Sequence, residues 1–362
     1  MAQIKRRRKA KKKDKQSDTS KLIKEAEEEA LEGMDDFLYR PISTDLLIST
    51  GSTLIDLAIC GGRVRGGGIP GNILIEIFGQ SSMGKTALGM EICGSTQFHG
   101  GTIKVLDPES RLDQEYAKTY DAEIPKENYS RPDTVNDIIN EMWDWEPKDT
   151  SVINTCLVDS IASLSTEVEM KEEDKRGQQR AKDLSAGLRK LARKIGKDNK
   201  LTVFTNQIRD GGTYGPVTPG GFAVRFYSTL RLDLRKPSAK GVSYKVEKKK
   251  KLKSGKEVSK VIGIRTDVNI VKNHIDDEWR MAPLYIIYGV GVDDVRANLQ
   301  WYKDMTSGTK YDCIDKEYAS MDSAIRYIEE NNLELDLREK VIDLWEEIEH
   351  SFRTTRKKKV RF

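Results

Sequence analysis

The sequence predicts an α/β fold: a mostly parallel sheet flanked by crossover helices. Three observations predict it. From Ile42 to about Lys236, short β-branched runs alternate with glycine turns and helical segments. A glycine-rich phosphate loop directly follows one of those runs and opens a helix. The runs end on residues with chemical character, as expected when ligands sit outside the carboxyl ends of a parallel sheet. In order, the clearest strands are 73–78, 103–106, 153–158, 201–205 and 229–234, with helices near 85–97, 113–121, 134–144 and 182–197. Ahead of them, 1–19 reads as a disordered basic tail and 20–41 as a small charged helical appendage. The core is expected to span 42–283 and to carry a basic excursion at 237–260, with nine lysines and two glutamates between 240 and 260. An α-rich lobe is expected at 284–352, with Leu337, Val341, Leu344 and Ile348 at helical spacing, and a second basic tail at 353–362.

Composition narrows the function. At 362 residues, with 37% hydrophobic and 33% charged residues, no run approaches the roughly 18 apolar residues of a membrane span. The opening MAQIKRRRKAKKKDK has no apolar stretch or cleavage site behind it, so a cytoplasmic location without membrane contact is expected. Cys60, Cys93, Cys156 and Cys313 form no CxxC pair and the three histidines are scattered, which argues for reduced thiols and against structural zinc. The net charge of +4 is uneven: residues 1–16 carry +8 and 353–362 carry +6, leaving −10 between them. An acidic body with basic arms suggests a polyanion partner, although solubility tails have the same composition.

The strongest single motif is Gly79-Gln80-Ser81-Ser82-Met83-Gly84-Lys85-Thr86, a GxxxxGK[ST] match. Its glycines let the loop turn back so that backbone amides surround phosphate, Lys85 reaches the β- and γ-phosphates, and Thr86 ligates Mg²⁺. This points to ATP with Mg²⁺ as the bound species. The run 153–158 ends at Asp159, placed to hold the metal's water shell, although an aspartate there also serves as an ordinary helix cap. After the strand 103–106 come Asp107 and Glu109; Glu109 is placed to orient an attacking water, and Asp107 competes for that role.

With these residues in view, the sequence resembles the bacterial RecA recombinase family over most of 42–350. Ile48-Ser49-Thr50-Gly51-Ser52 and Gly68-Ile69-Pro70-Gly71 look like its lead-in to the phosphate loop. The most specific block is Phe204-Thr205-Asn206-Gln207-Ile208-Arg209, then Gly220-Gly221-Phe222-Ala223, Arg225-Phe226-Tyr227 and Arg231-Leu232-Asp233-Leu234-Arg235. The resemblance implies a RecA-type core, with Glu109 as the catalytic glutamate, Asp113 and Tyr116 as adenine contacts, and Gln207 reporting nucleotide state to the loop 210–219. That loop and 166–180 would line a DNA channel, with contacts at Lys182, Arg189, Arg209, Gly220, Gly221, Arg225 and Arg231. For each arginine the plain alternative is a solvated surface.

Departures matter too. Where the family reaches a neighbour's γ-phosphate with two lysines, this chain has Lys272-Asn273-His274, so only Lys272 matches. Slow turnover, or a pH dependence near the ordinary histidine pKa of about 6.5, is the expectation. The family commonly ends in an acidic tail that restrains DNA binding; the basic 353–362 predicts that such restraint is absent. The resemblance implies a DNA-dependent ATPase that polymerises on single-stranded DNA, pairs it with duplex, and meets mediator and single-strand-binding proteins. A ring helicase on the same core and a DNA coat with weak hydrolysis are the alternatives.

Overall fold

The run Ile73–Gly79 (ILIEIFG) is buried along its whole length despite its central carboxylate, which requires a strand covered on both faces. A computed structural model describes residues 42–164, 178–210, 216–218, 221–357 and 359. The tail 1–19 and the appendage 20–41 lie outside the described residues, as does most of both expected DNA loops. The chain enters through the short pair β1 (Leu47–Ile48) and β2 (Ile69–Pro70), which bracket the buried helix α1 (Thr53–Cys60). The ILIEIFG run is then β3, followed by α2 (Lys85–Phe98), β4 (Ile103–Leu106), α3 (Gln114–Lys118), β5 (Tyr129–Ser130) and α4 (Val135–Asp144). Next come β6 (Asn154–Val158), α5 (Gln178–Ile195), β7 (Lys200–Gln207), the small pair β8 (Arg209–Asp210) and β9 (Pro216–Val217), α6 (Gly221–Tyr227) and β10 (Leu230–Arg235). The long hairpin β11 (Lys245–Lys251) and β12 (Glu257–Asn273) leads to β13 (Met281–Ile287) and β14 (Gly291–Val292).

The ten-stranded sheet runs β14-β13-β12-β10-β3-β7-β6-β4-β5, with β11 attached to β12. Pairing is parallel from β10 to β5, and antiparallel from β10 through β12 and β13 to β14. Alternation along β3 sorts its side chains between two cores. Ile73, Ile75 and Ile77 join the core that holds α1 and α2; Leu74 points to the opposite core, with Ile138 of α4, Leu188 of α5 and Val224 of α6. The start of α4 is fixed by a reciprocal cap: Thr134 Oγ1 accepts from Asp137 N at 3.2 Å and Asp137 Oδ2 accepts from Thr134 N at 2.9 Å.

The break expected at 283/284 falls inside β13, which pairs with β12 over seven positions, so the sheet continues to Val292. The lobe follows as α7 (Asp294–Met305), the pair β15 (Tyr311–Asp312) and β16 (Glu317–Tyr318), α8 (Met321–Glu330) and α9 (Glu334–Ser351). It has its own small core of Leu299, Cys313, Ala324, Ile328 and Leu337. Of the basic tail, 353–357 is described and belongs to no helix or strand. Among the described residues no helix is long and apolar enough to cross a membrane.

Candidate nucleotide site

Because β3, β4, β6 and β7 run parallel, their carboxyl ends open at one edge of the sheet, and the chemistry-bearing residues collect there. The phosphate loop leaves β3 under tight constraint. A side chain at Gly79 would lie 2.3 Å from the Leu234 carbonyl, and Gly84, at φ +89°, would place one 2.3 Å from Ile286 Cδ1. Glycine is therefore required at both ends of the loop. Lys85 curls back over the loop, its Nζ donating to the carbonyls of Gly79 at 3.1 Å and Gln80 at 2.7 Å. Burial pulls the ammonium's pKa down, while Asp159 and Glu109 push the other way.

Asp159 follows β6 and is buried, which lifts its carboxyl above the usual range; hydroxyls of Thr205 and Thr86 donate to it and oppose that shift, while nearby Glu109 and Asp107 add to it. A dehydrated carboxylate joined to the phosphate-loop threonine fits a hard cation. Thr86 directly and Asp159 through the water shell would hold Mg²⁺, which supplies positive charge against phosphate oxygens when bound.

The two acids after β4 divide by environment. Asp107 is fully buried, and its Oδ2 accepts from Leu112 N and from the Tyr129 hydroxyl, both at 2.9 Å. It holds the 107–112 turn together. Glu109 sits nearer the surface, paired with exposed Arg111 at 2.9 Å, and its Oε1 accepts from Gln207 Nε2 at 3.3 Å. Gln207 ends β7, so the Glu109 carboxylate is hydrogen-bonded to the last side chain of that strand. Asp113 caps α3, its Oδ1 accepting from Tyr116 N at 2.7 Å, and Tyr116 stacks obliquely on Tyr120 at 5.2 Å. Residues Ser81 to Gly84 and Tyr116 line a cleft of about 550 Å³.

The remaining expected residues sit deeper or farther away. Lys272 Nζ donates to the carbonyls of Arg225 and Phe226, both at 2.9 Å, holding the last turn of α6. Burial and the charge of Arg231 push its pKa down to about 8. Arg231 is bound to buried Glu76 at 2.6 Å and lies 4.4 Å from the Phe78 ring centre, so it is an internal ion-pair partner in this chain. Arg225 is half buried, with its pKa lowered by burial and by Arg231. Arg189 lies beside the buried Tyr227 hydroxyl, Lys182 is exposed on α5, Arg209 opens β8 and Gly221 opens α6. Gly220 is outside the described residues. His274 is exposed; partial desolvation and then Lys272 hold its imidazole below the ordinary histidine value.

Sequence reasoning missed two features. Glu76 joins Arg231 to Asn206, whose Nδ2 donates to Glu76 at 2.8 Å and whose Oδ1 accepts from Gln207 N at 2.9 Å. The signal was a lone acid inside a fully apolar strand, which must be paired. The other is the contribution of Lys236, Tyr244, Lys245 and Tyr288 to the lining of the cleft; its signal was an aromatic residue at the edge of the lysine run.

A family model described as the RecA N-terminal domain matches residues 41–293. The chain is similar to Protein RecA of Thermotoga neapolitana, 34% identical over 298 residues covering 78% of this chain and 77% of that one. It is also similar to Protein RecA of a Synechocystis species, 32% identical over 295 residues with shares of 78% and 77%. Protein RecA of Crocosphaera subtropica is 32% identical over 310 residues, with shares of 81% and 82%.

Proposed function

Because this chain belongs to the RecA family, we propose that it is an ATP-dependent homologous DNA recombinase acting on DNA in the cytoplasm. It forms a helical filament of its own copies on single-stranded DNA and catalyses pairing and strand exchange with a duplex. The observation that carries this reading is the hydrogen bond between Glu109 and Gln207. It joins the acid that orients water to the start of the loop that would face DNA, which is what coupling hydrolysis to DNA grip requires. Lys85, Thr86 and Asp159 bind the triphosphate and its metal, and Glu109 orients the water for in-line attack. Lys182, Arg189, Arg209, Gly220, Gly221 and Arg225 are the proposed DNA contacts; Arg231 acts by fixing the strand that supports them.

The test is negative-stain electron microscopy with long single-stranded DNA and a non-hydrolysable ATP analogue. Right-handed helical filaments that need the nucleotide are expected. Closed rings would favour a translocase instead, and nucleotide-independent coating a structural role.

Lys272 and His274 are proposed to face the neighbouring subunit's nucleotide in the filament. A neutral imidazole gives less charge to the transition state than an ammonium would, so His274→Lys should raise DNA-dependent ATP turnover at pH 7.5. The native rate should increase only as the pH falls below the ordinary histidine range. Equal turnover of the two proteins from pH 5.5 to 8 would remove His274 from the mechanism.

A further inference from the structure

The ribbon of β11 and the first half of β12 is poorly designed for stability. β11 pairs with β12 alone among the described strands, and two-stranded ribbons are marginal by themselves. Its sequence, KVEKKKK, places Lys248 directly opposite Lys260. Opposed like charges weaken a sheet. Lys248 reaches Asp322 of α8 at 3.3 Å, an exposed pair that contributes little. Lys249, Lys250, Lys251 and Lys253 are all exposed. Across the ribbon only Glu257, opposite Lys251, compensates this row of lysines; the remaining charge is relieved by an extended polyanion, and a phosphate backbone has the matching charge.

The base of the same ribbon enters the nucleotide cleft. Lys236, Tyr244 and Lys245 line this cleft together with Ser81 to Gly84 and Tyr116. Lys236 and Lys245 place their ammonium groups 4.7 and 5.7 Å from the Tyr244 ring centre, and the Tyr244 carbonyl accepts from Arg265 N of β12 at 2.8 Å. The ribbon's pairing with β12 thus sets the position of Tyr244 in that lining.

We propose that this ribbon is a coupling arm: its root contacts the nucleotide, its free end holds the phosphate backbone of nucleic acid, and each ligand strengthens binding of the other. The choice of nucleic acid as ligand rests on the recombinase reading above. The sign follows from charge and order. A triphosphate in the cleft offsets the repulsion between Lys236 and Lys245, a backbone offsets it along the free end, and a ribbon already settled by one ligand loses less entropy on binding the second. Linkage makes the effect reciprocal.

The experiment uses the full chain. A fluorescent, slowly hydrolysed ATP analogue is titrated with and without a saturating 36-residue oligothymidylate, and the ratio of the two dissociation constants is the coupling factor. Couplings of about 5- to 150-fold are usual, and the native protein should lie in that range. Two variants follow, each referred to its own value without oligonucleotide: Tyr244→Ala at the root, and Lys249→Ala, Lys250→Ala, Lys251→Ala and Lys253→Ala combined at the free end. Each should lower the factor by at least about threefold. The second should also flatten the log–log salt dependence of oligonucleotide binding, by up to about 3 if all four lysines meet phosphates. A native factor in both variants overturns the proposal, with or without a flattened slope, and leaves the recombinase reading in place. A native protein whose nucleotide affinity ignores the oligonucleotide overturns both.

Discussion

Glu109→Gln should lower the DNA-stimulated kcat for ATP hydrolysis by about 100- to 10,000-fold, the range for removal of a positioned acid–base group. The substitution is chosen because of the local geometry. A glutamine keeps an acceptor oxygen for Gln207 Nε2, so the 3.3 Å link survives while the charge proposed to polarise water is lost. The pair with Arg111, whose side chain is 77% exposed, is worth little, so folding should be nearly unchanged. KM for ATP should change by much less than kcat, because Lys85, Thr86 and Asp159 are intact. Asp107→Asn is the control for the alternative assignment. Asp107 is fully buried and accepts two hydrogen bonds, so its loss of charge should appear as about 1–3 kcal/mol of stability with only a small change in kcat. Steady-state ATPase assays and urea unfolding of both variants decide the matter. If Asp107→Asn loses turnover and Glu109→Gln keeps it, the roles are exchanged.

The difference between these two acids marks how far the sequence can be read. The phosphate loop was legible because its chemistry needs contiguous residues in fixed order, and Asp159 and Glu109 were legible because parallel strands bring their ends to one edge. Order along the chain and the family resemblance already favour Glu109 over Asp107; the physical contrast between them, the burial of Asp107 against Tyr129 twenty-two residues away, is not in the local sequence. Long-range pairings were harder still. Glu76 and Arg231 are 155 residues apart and meet because β3 lies beside β10, with Arg231 in register with Glu76. The motif match identified Arg231 as a basic position after a loop, but no local pattern shows a strand's neighbour. Likewise the lysine run was visible as charge, whereas its root in the cleft depends on the seventeen residues of β12. The expected lobe boundary fell inside β13 because an outlying strand of the core sheet and the first strand of a lobe have the same composition.

The buried pair itself yields the second large effect. Glu76 is fully buried, and Arg231, with 12% of its side chain exposed, is its partner at 2.6 Å. Glu76→Ala would leave a guanidinium with no acid and remove the acceptor of Asn206 Nδ2, so about 3–5 kcal/mol of stability should be lost. Replacing both residues, Glu76→Leu with Arg231→Met, should recover most of that, since the desolvation of two charges disappears with them. Urea unfolding of Glu76→Leu, Arg231→Met and their combination, a closed cycle, should give a coupling of about 3 kcal/mol, the upper end of the usual range; additive losses would show that the pair does not act as one unit. A pH measurement tests the wider network. Lys272 has its pKa lowered to about 8, first by burial and then by Arg231, whereas in the unfolded chain it is near the ordinary 10.4. Between those values the unfolded state binds more protons, so this group makes stability rise with pH from about 8 to 10. Arg231→Met removes the second cause, raises the folded pKa and should shrink that rise. The same rise in both proteins would mean that Lys272 does not sense Arg231, and that the link from Gln207 through Glu76 to the end of α6 stops at the arginine.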